Sequence, residues 1–157
     1  KKITALNIAL GHKDCELKFK YDGALSSQSD DQKIGEIVKV KMMEGIIDYA
    51  DLIKIDVEGF ELNVLKGANK VLDDLRTNAL IVEMIPNNYM EEYKYDVYQA
   101  LLNKDFHAYE YHPDKRCLEL LSKNNISMPN TIFIRDLDLA EKKVNFSEKF
   151  KIGGRYY

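Results

Sequence analysis

Nothing in this 157-residue sequence approaches the roughly 18 to 20 consecutive apolar residues of a membrane span, and no targeting segment is visible. Cysteine is scarce. Cys15 and Cys117 lie far apart, without metal-ligand spacing and without a signal peptide ahead of them, which is expected of reduced thiols in a cytoplasmic protein. Charge of one sign is also lacking: 23 Lys+Arg against 26 Asp+Glu leave a net −3, so the basic face of a nucleic-acid binder is not expected. There is no internal repeat, low-complexity tract, P-loop, nucleophile elbow or zinc signature. The missing Gly-x-Gly-x-x-Gly matters most, because a cofactor-binding doubly wound domain normally opens with a strand running into a glycine-rich loop.

What is present is enough apolar residue, 45%, for one domain with a real core. The chain is organised around Asp51 to Gly67. Leu52, Ile53, Ile55 and Val57 form a short β-branched run expected of a strand covered on both faces. Asp56, Glu58 and Glu61 then bracket Gly59, and Phe60, Leu62, Val64 and Leu65 take up helical spacing until Gly67, a helix stop. In such a strand–turn–helix unit ligands sit beyond the strand's carboxyl end, where Asp56 and Glu58 fall. Glu61 reads more simply as a carboxylate favoured by the helix start. Lys54, two residues before Asp56, shares its face of the strand, so a Lys54–Asp56 ion pair is available, structural or functional.

The rest of the chain frames this unit. Ile3 to Leu10 and Cys15 to Tyr21 alternate around a Gly11–Asp14 turn and read as a hairpin. Ser26 to Gln32 reads as a polar loop, Ile37 to Val40 as a strand, and Met42 to Tyr49 as a short helix. Ala68 to Leu75 continues an amphipathic helix, and Ala79 to Met84 is the next strand, apolar until Glu83. Laid parallel to the Leu52 strand, about 4.8 Å away, it brings Glu83 to the crevice of Asp56, as a shared wall or as a neutraliser of Lys54. Pro86 to Asn88 marks a turn and Met90 to Lys104 a helix whose tyrosines read as core. Phe106 to Tyr111 is a strand, with His107 and His112 on opposite faces and so unable to share a metal. Leu118 to Leu121 reads as a helical turn, loops flank Ile126, and Thr131 to Ile134 is the last strand. From Glu141 to Tyr157 five basic residues face two acids, a charge of +3, with Phe146, Phe150, Tyr156 and Tyr157 interleaved. This segment reads as a solvated or packing tail, with an anionic partner or membrane surface as the alternative.

The run Lys54 to Ala68 (KIDVEGFELNVLKGA), followed by Ala79 to Met84 (ALIVEM), resembles the signature of the FkbM family of S-adenosylmethionine-dependent methyltransferases. The resemblance extends from about Ile3 to about Arg135 and covers the carboxyl-terminal part of that family's domain. It implies an α/β fold, doubly wound, with a mostly parallel sheet of Rossmann-like methyltransferase type lacking its first strands, over residues 1–140, followed by the 141–157 tail. It further implies S-adenosylmethionine as cofactor, with Asn7 and Ala9, in the third family strand whose end lies beside the adenine, as cofactor contacts or simply as a strand end, and methyl transfer to a hydroxyl oxygen of a sugar, glycan or other small molecule. On this reading Asp56 orients cofactor or substrate, Glu58 is the base, Glu83 is a second polar wall, and Lys54 sets their protonation. Met43-Glu44 stands where the family often carries Leu-Asp, which leaves the role of that acid open.

The chain opens at Lys1, directly before a strand-like run, as a fragment or processed product would. In that case it is expected to bind S-adenosylmethionine poorly and to leave an apolar edge on the Leu52 strand that invites self-association. Two rivals stand beside the enzyme: a non-catalytic binding or assembly module on the same scaffold, and a Mg²⁺-dependent enzyme using Asp56, Glu58 and Glu83 as oxygen ligands.

Overall fold

The computed structural model describes residues 2–22, 25–28, 36–84, 91–122 and 130–156. In chain order the elements are β1 (Ala9–Leu10), β2 (Cys15–Asp22), β3 (Leu25–Gln28), β4 (Glu36–Lys41), a 3-10 turn (Met43–Gly45), β5 (Leu52–Ile55), α1 (Glu61–Lys66), α2 (Asn69–Asp73), β6 (Ala79–Glu83), α3 (Glu91–Leu102), β7 (His107–His112), β8 (Cys117–Leu120), β9 (Asn130–Ile134), α4 (Leu137–Phe146), β10 (Lys151–Ile152) and β11 (Arg155–Tyr156).

The main sheet has the order β5-β6-β9-β7-β8. β5 and β6 pair in parallel, from Leu52 opposite Ala79 to Ile55 opposite Val82. β9 is antiparallel to both of its neighbours, and β8 folds back on β7. β5, β6 and β7 therefore run the same way, with one reversed strand inserted among them. The expectation of a mostly parallel sheet is corrected to a mixed one, because that insertion and the β7–β8 hairpin turn most neighbour pairs antiparallel.

A second sheet, β1-β4-β2-β3, stands before the strand–turn–helix unit. The expected hairpin of the first two strands does not form. β4 lies between them, parallel to β1 and antiparallel to β2, so Val40 faces Ala9 on one side and Cys15 on the other. Part of the polar Ser26–Gln32 stretch is strand β3, held by its ladder to β2 in spite of its composition. The expected helix over Met42 to Tyr49 shrinks to the 3-10 turn, and the expected helical turn at Leu118 to Leu121 is strand β8. The turn at Pro86 to Asn88, the loops around Ile126 and the end of the Ser26–Gln32 loop lie outside the described residues.

The core is built by alternation. Ile53 and Ile55 of β5, Leu80 and Val82 of β6 and Phe133 of β9 are buried together with Val64, Leu65, Val71, Leu72, Val97 and Leu101 from α1, α2 and α3. Each such side chain contributes about 1.5–3 kcal/mol relative to exposure. Tyr98 joins this core against Phe133, while Tyr95 is exposed. β5 is buried on one face only, since Leu52 and Lys54 are open on the other. Two-sided burial was expected of it; at the sheet edge, with a cavity against its outer face, it keeps only one.

Two devices lock this arrangement. The Arg135 guanidinium, just after β9, donates to the carbonyls of Leu72, Asp74, Thr77 and Lys104 and lies 4.2 Å from the centre of the Phe106 ring. It thereby ties the ends of α2 and α3 to the entry of β6. Gly67, the C-cap of α1, meets Gly11 at the end of β1, where an added Cβ would stand 1.9 Å from the Gly11 carbonyl oxygen. Its φ of −87° shows that glycine is needed here for close approach and not for a left-handed cap.

Candidate active site

β5 ends at Ile55, and the chain then makes a tight passage into α1. Glu58 (φ 52°) and Gly59 (φ 95°) both adopt left-handed backbone there. A glycine does so freely, whereas for Glu58 the conformation costs on the order of 1–2 kcal/mol, which the surroundings must offset. Glu61 supplies part of that support. Its buried carboxylate accepts from the backbone N–H groups of Val57 (3.2 Å) and Gly59 (3.1 Å), so it clamps the loop from behind. This agrees with the helix-start reading of Glu61.

The loop sends its other acids forward. Asp56 leaves β5 on the open face, where the Lys54 ammonium hydrogen-bonds its Oδ2. Because β5 and β6 run parallel in register, Glu83 ends β6 beside Asp56. One carboxylate oxygen from each of Asp56, Glu58 and Glu83 lies within 4.8 Å of the other two. The four residues proposed for catalysis are thus brought to one place, at the carboxyl ends of two adjacent parallel strands.

Three acids so close cannot all ionise with equal ease. The hydrogen bond from Lys54 holds the Asp56 carboxyl below its usual range; burial opposes this, and a hydrogen bond with Glu83 adds to it. Glu83 is pushed the other way, first by burial, then by the charge of Asp56 and the hydrogen bond to it, with further repulsion from Glu58 and Glu61. The pair therefore divides its labour: Asp56 carries the charge and Glu83 keeps its proton longer. Glu83 Oε2 is shut off from solvent and has no hydrogen-bond partner among the described residues.

A cavity of about 430 Å³ opens against the outer face of β5, within the range of small-molecule sites. Leu6, Ile8, Ile46, Ile47, Leu52 and Lys54 are among its walls. Thr4, Leu6, Ile8 and Leu10 contribute from one side of the amino-terminal segment, so Asn7 and Ala9 occupy the alternate positions, Asn7 exposed and Ala9 half-buried. Sequence reasoning missed these apolar walls. Their signal is the alternation at 4, 6, 8 and 10 and the spacing of Met43, Ile46 and Ile47, which served there only to assign elements. His107 and His112 lie at the two ends of β7, and His112 pairs with Glu119 across the β7–β8 hairpin.

No helix among the described residues is long and apolar enough to cross a membrane. No curated protein and no solved structure matches the chain. A family model does: the model described as the methyltransferase FkbM domain matches residues 2–113, which include β5, the acidic loop, α1 and β6, and the chain therefore belongs to the FkbM methyltransferase family.

Proposed function

We propose that the complete protein transfers a methyl group from S-adenosylmethionine to a hydroxyl oxygen of a sugar or other small molecule, with the reaction centred on Asp56, Glu58 and Glu83. The observation that carries this reading is the meeting of the three carboxylates at the ends of β5 and β6, with Lys54, the partner of Asp56, lining a cavity of ligand size. A Rossmann-like, doubly wound domain is the natural setting, supported by the parallel β5–β6 pair joined through α1 and α2 and by the common direction of β7. The two unbridged thiols, Cys15 and Cys117, suit a reducing, cytoplasmic compartment.

The donor set fits the cofactor. Bound S-adenosylmethionine supplies an electrophilic methyl on a positively charged sulfonium, and an acidic cluster with one buried, unsatisfied oxygen at Glu83 complements a cation. Asp56, kept ionised by Lys54, would hold that charge, with Asn7 and Ala9 as contacts implied by family resemblance alone. Glu83, hydrogen-bonded to Asp56, fixes its orientation. Among the described residues neither Glu58 nor Glu83 has an ion pair, but Glu58 is exposed where Glu83 is half-buried, which suits a base that must meet an incoming hydroxyl. A positioned carboxylate base contributes typically 10² to 10⁴-fold to rate. Glu58→Gln in the complete enzyme should therefore lower kcat by about that factor while leaving cofactor affinity nearly unchanged. Near-normal turnover in that variant would return Glu58 to a purely structural place in the loop.

The mutual approach of the three carboxylate oxygens also favours a second reading, a site for a hard divalent cation such as Mg²⁺. Calorimetric titration of Mg²⁺ into EDTA-washed protein separates the two, since heat above dilution belongs only to the metal reading. Self-association through β5 belongs to the first proposal, because among the described residues that strand pairs only with β6; light scattering across a concentration series tests it.

A further inference from the structure

α4 is held rigidly at both ends. Asp136 caps it by accepting from the Leu139 N–H, and is itself fixed by two hydrogen bonds with Asn78 at the entry of β6. At the other end the Arg116 guanidinium, from the turn between β7 and β8, donates to the carbonyls of Val144 and Ser147 and to the Ser147 hydroxyl. A third tie joins Lys143 to Asp51, just before β5. The helix therefore presents a defined outer face.

That face is not the polar one expected of a surface helix. At 3.6 residues per turn, Leu137, Ala140, Glu141 and Val144 fall together on the half-buried side. Leu139, Lys142, Lys143 and Phe146 fall on the opposite side. Phe146 is 87% exposed, more than any other aromatic among the described residues, and Leu139 is 39% exposed. Phe150, 60% exposed, and the exposed Lys149 and Lys151 follow directly. From residue 141 onward the charge is +3, in a chain whose total is −3.

We propose that this outer face of α4, with the Lys149–Lys151 segment behind it, docks on an anionic phospholipid surface. Lysines beside protruding Leu and Phe side chains are what an acidic bilayer interface accepts, the cations at the headgroups and the apolar tips below them. The same side chains suit a folded protein partner poorly, because one ten-residue convex helix offers little of the roughly 800 Å² per partner of a standard interface. The acidic site lies away from this contact: Lys143 holds Asp51 at the start of β5, whereas Asp56 follows its end. Docking leaves the site open to solution, and it is weak and reversible, since one short amphipathic helix is a single signal.

The test is vesicle flotation of the full chain with phosphatidylcholine alone and with phosphatidylcholine containing phosphatidylglycerol. Binding should require the anionic lipid and fade as salt rises. Lys142→Gln and Lys149→Gln should each weaken it by about fivefold. Phe146→Ser, with or without Leu139→Ser, should reduce it to background while the thermal midpoint stays at the parent value. The proposal is overturned by absence of binding to either vesicle, by equal binding to both, or by anionic binding that survives Phe146→Ser. Retention on immobilised polyglutamate without vesicle binding would overturn it in favour of an acidic protein partner. A dimer in light scattering that Phe146→Ser dissolves would overturn it in favour of a second copy of the chain.

Discussion

Replacing Gly67 with alanine tests whether the close approach of α1 to β1 holds the site's framework. The new Cβ would lie 1.9 Å from the Gly11 carbonyl oxygen, 2.8 Å from its carbonyl carbon and 3.3 Å from the His12 Cα. Ordinary contact begins near 3.4 Å, so two backbone segments must separate by about 1.5 Å. Neither moves freely. Gly67 accepts from the Glu44 N–H at 3.2 Å, and the Gly11 N–H donates to Lys41 at 3.0 Å, so the strain reaches the 3-10 turn and β4. Overpacking of this kind costs about 1–3 kcal/mol. Alanine in an accessible backbone conformation returns about 0.4–1 kcal/mol by restricting the unfolded chain. The net loss should be about 1–2 kcal/mol, which at this chain length lowers Tm by about 2–8 °C. Gly45→Ala is the control: nothing lies within 4 Å of its added Cβ, and the thermal midpoint should hold or rise slightly. Scanning calorimetry of the two variants decides the matter. A Gly67→Ala protein as stable as its parent would mean that the segments part without cost and that this junction does not fix the loop.

The remaining predictions use other parts of the framework. Glu83 has a folded-state pKa raised above its ordinary 4.5, so its ionisation costs stability as pH climbs above 4.5, whereas the lowered pKa of Asp56 gives stability that is lost only as pH falls below 3.8. Glu83→Gln should therefore raise Tm at neutral pH, with the gain shrinking toward pH 4.5; a lower midpoint at neutral pH would contradict the upward shift of the Glu83 pKa. Arg135→Ala leaves four carbonyls without their shared donor, and should lower Tm by roughly 6–12 °C on a loss of about 3 kcal/mol. Arg135→Lys should recover little of it, because an ammonium cannot span carbonyls from separate elements as the planar fork does. Lys54→Met should raise the Asp56 pKa, measured by carboxyl NMR titration, with little change in midpoint because the pair is solvent-exposed.

The site was legible in the sequence because two simple periodicities determine it. Residues two apart on a strand share a face, which couples Lys54 to Asp56, and parallel strands of matched length bring their ends together, which couples Asp56 to Glu83. Neither inference needs distant information beyond the pairing of two neighbouring strands. The first sheet was not legible for the opposite reason. Val40 bridges Ala9 and Cys15, a partnership across some thirty residues that no local pattern records, and the Gly11–Asp14 turn pointed to the nearer but wrong pairing. β8 was lost to length: four residues with Leu118, Leu120 and Leu121 fit a strand or a helical turn equally, and its ladder to β7 decides between them.

α4 shows where local pattern reaches its limit. Leu137, Ala140 and Val144 form one apolar stripe at helical spacing, and Leu139 with Phe146 forms another on the opposite side. From the sequence alone either stripe can be the buried one, and the larger side chains favour the second. The first is the half-buried one, and the polar ties hold the helix in that rotation: Asn78 fixes Asp136 at its start, Arg116 fixes Val144 and Ser147 at its end, and Lys143 reaches Asp51 from its side. With three polar ties holding that rotation, the bulkier stripe is left outward at a cost in exposed apolar surface. That cost is what an acidic bilayer surface would relieve, and it makes Phe146 the residue at which the docking proposal succeeds or fails.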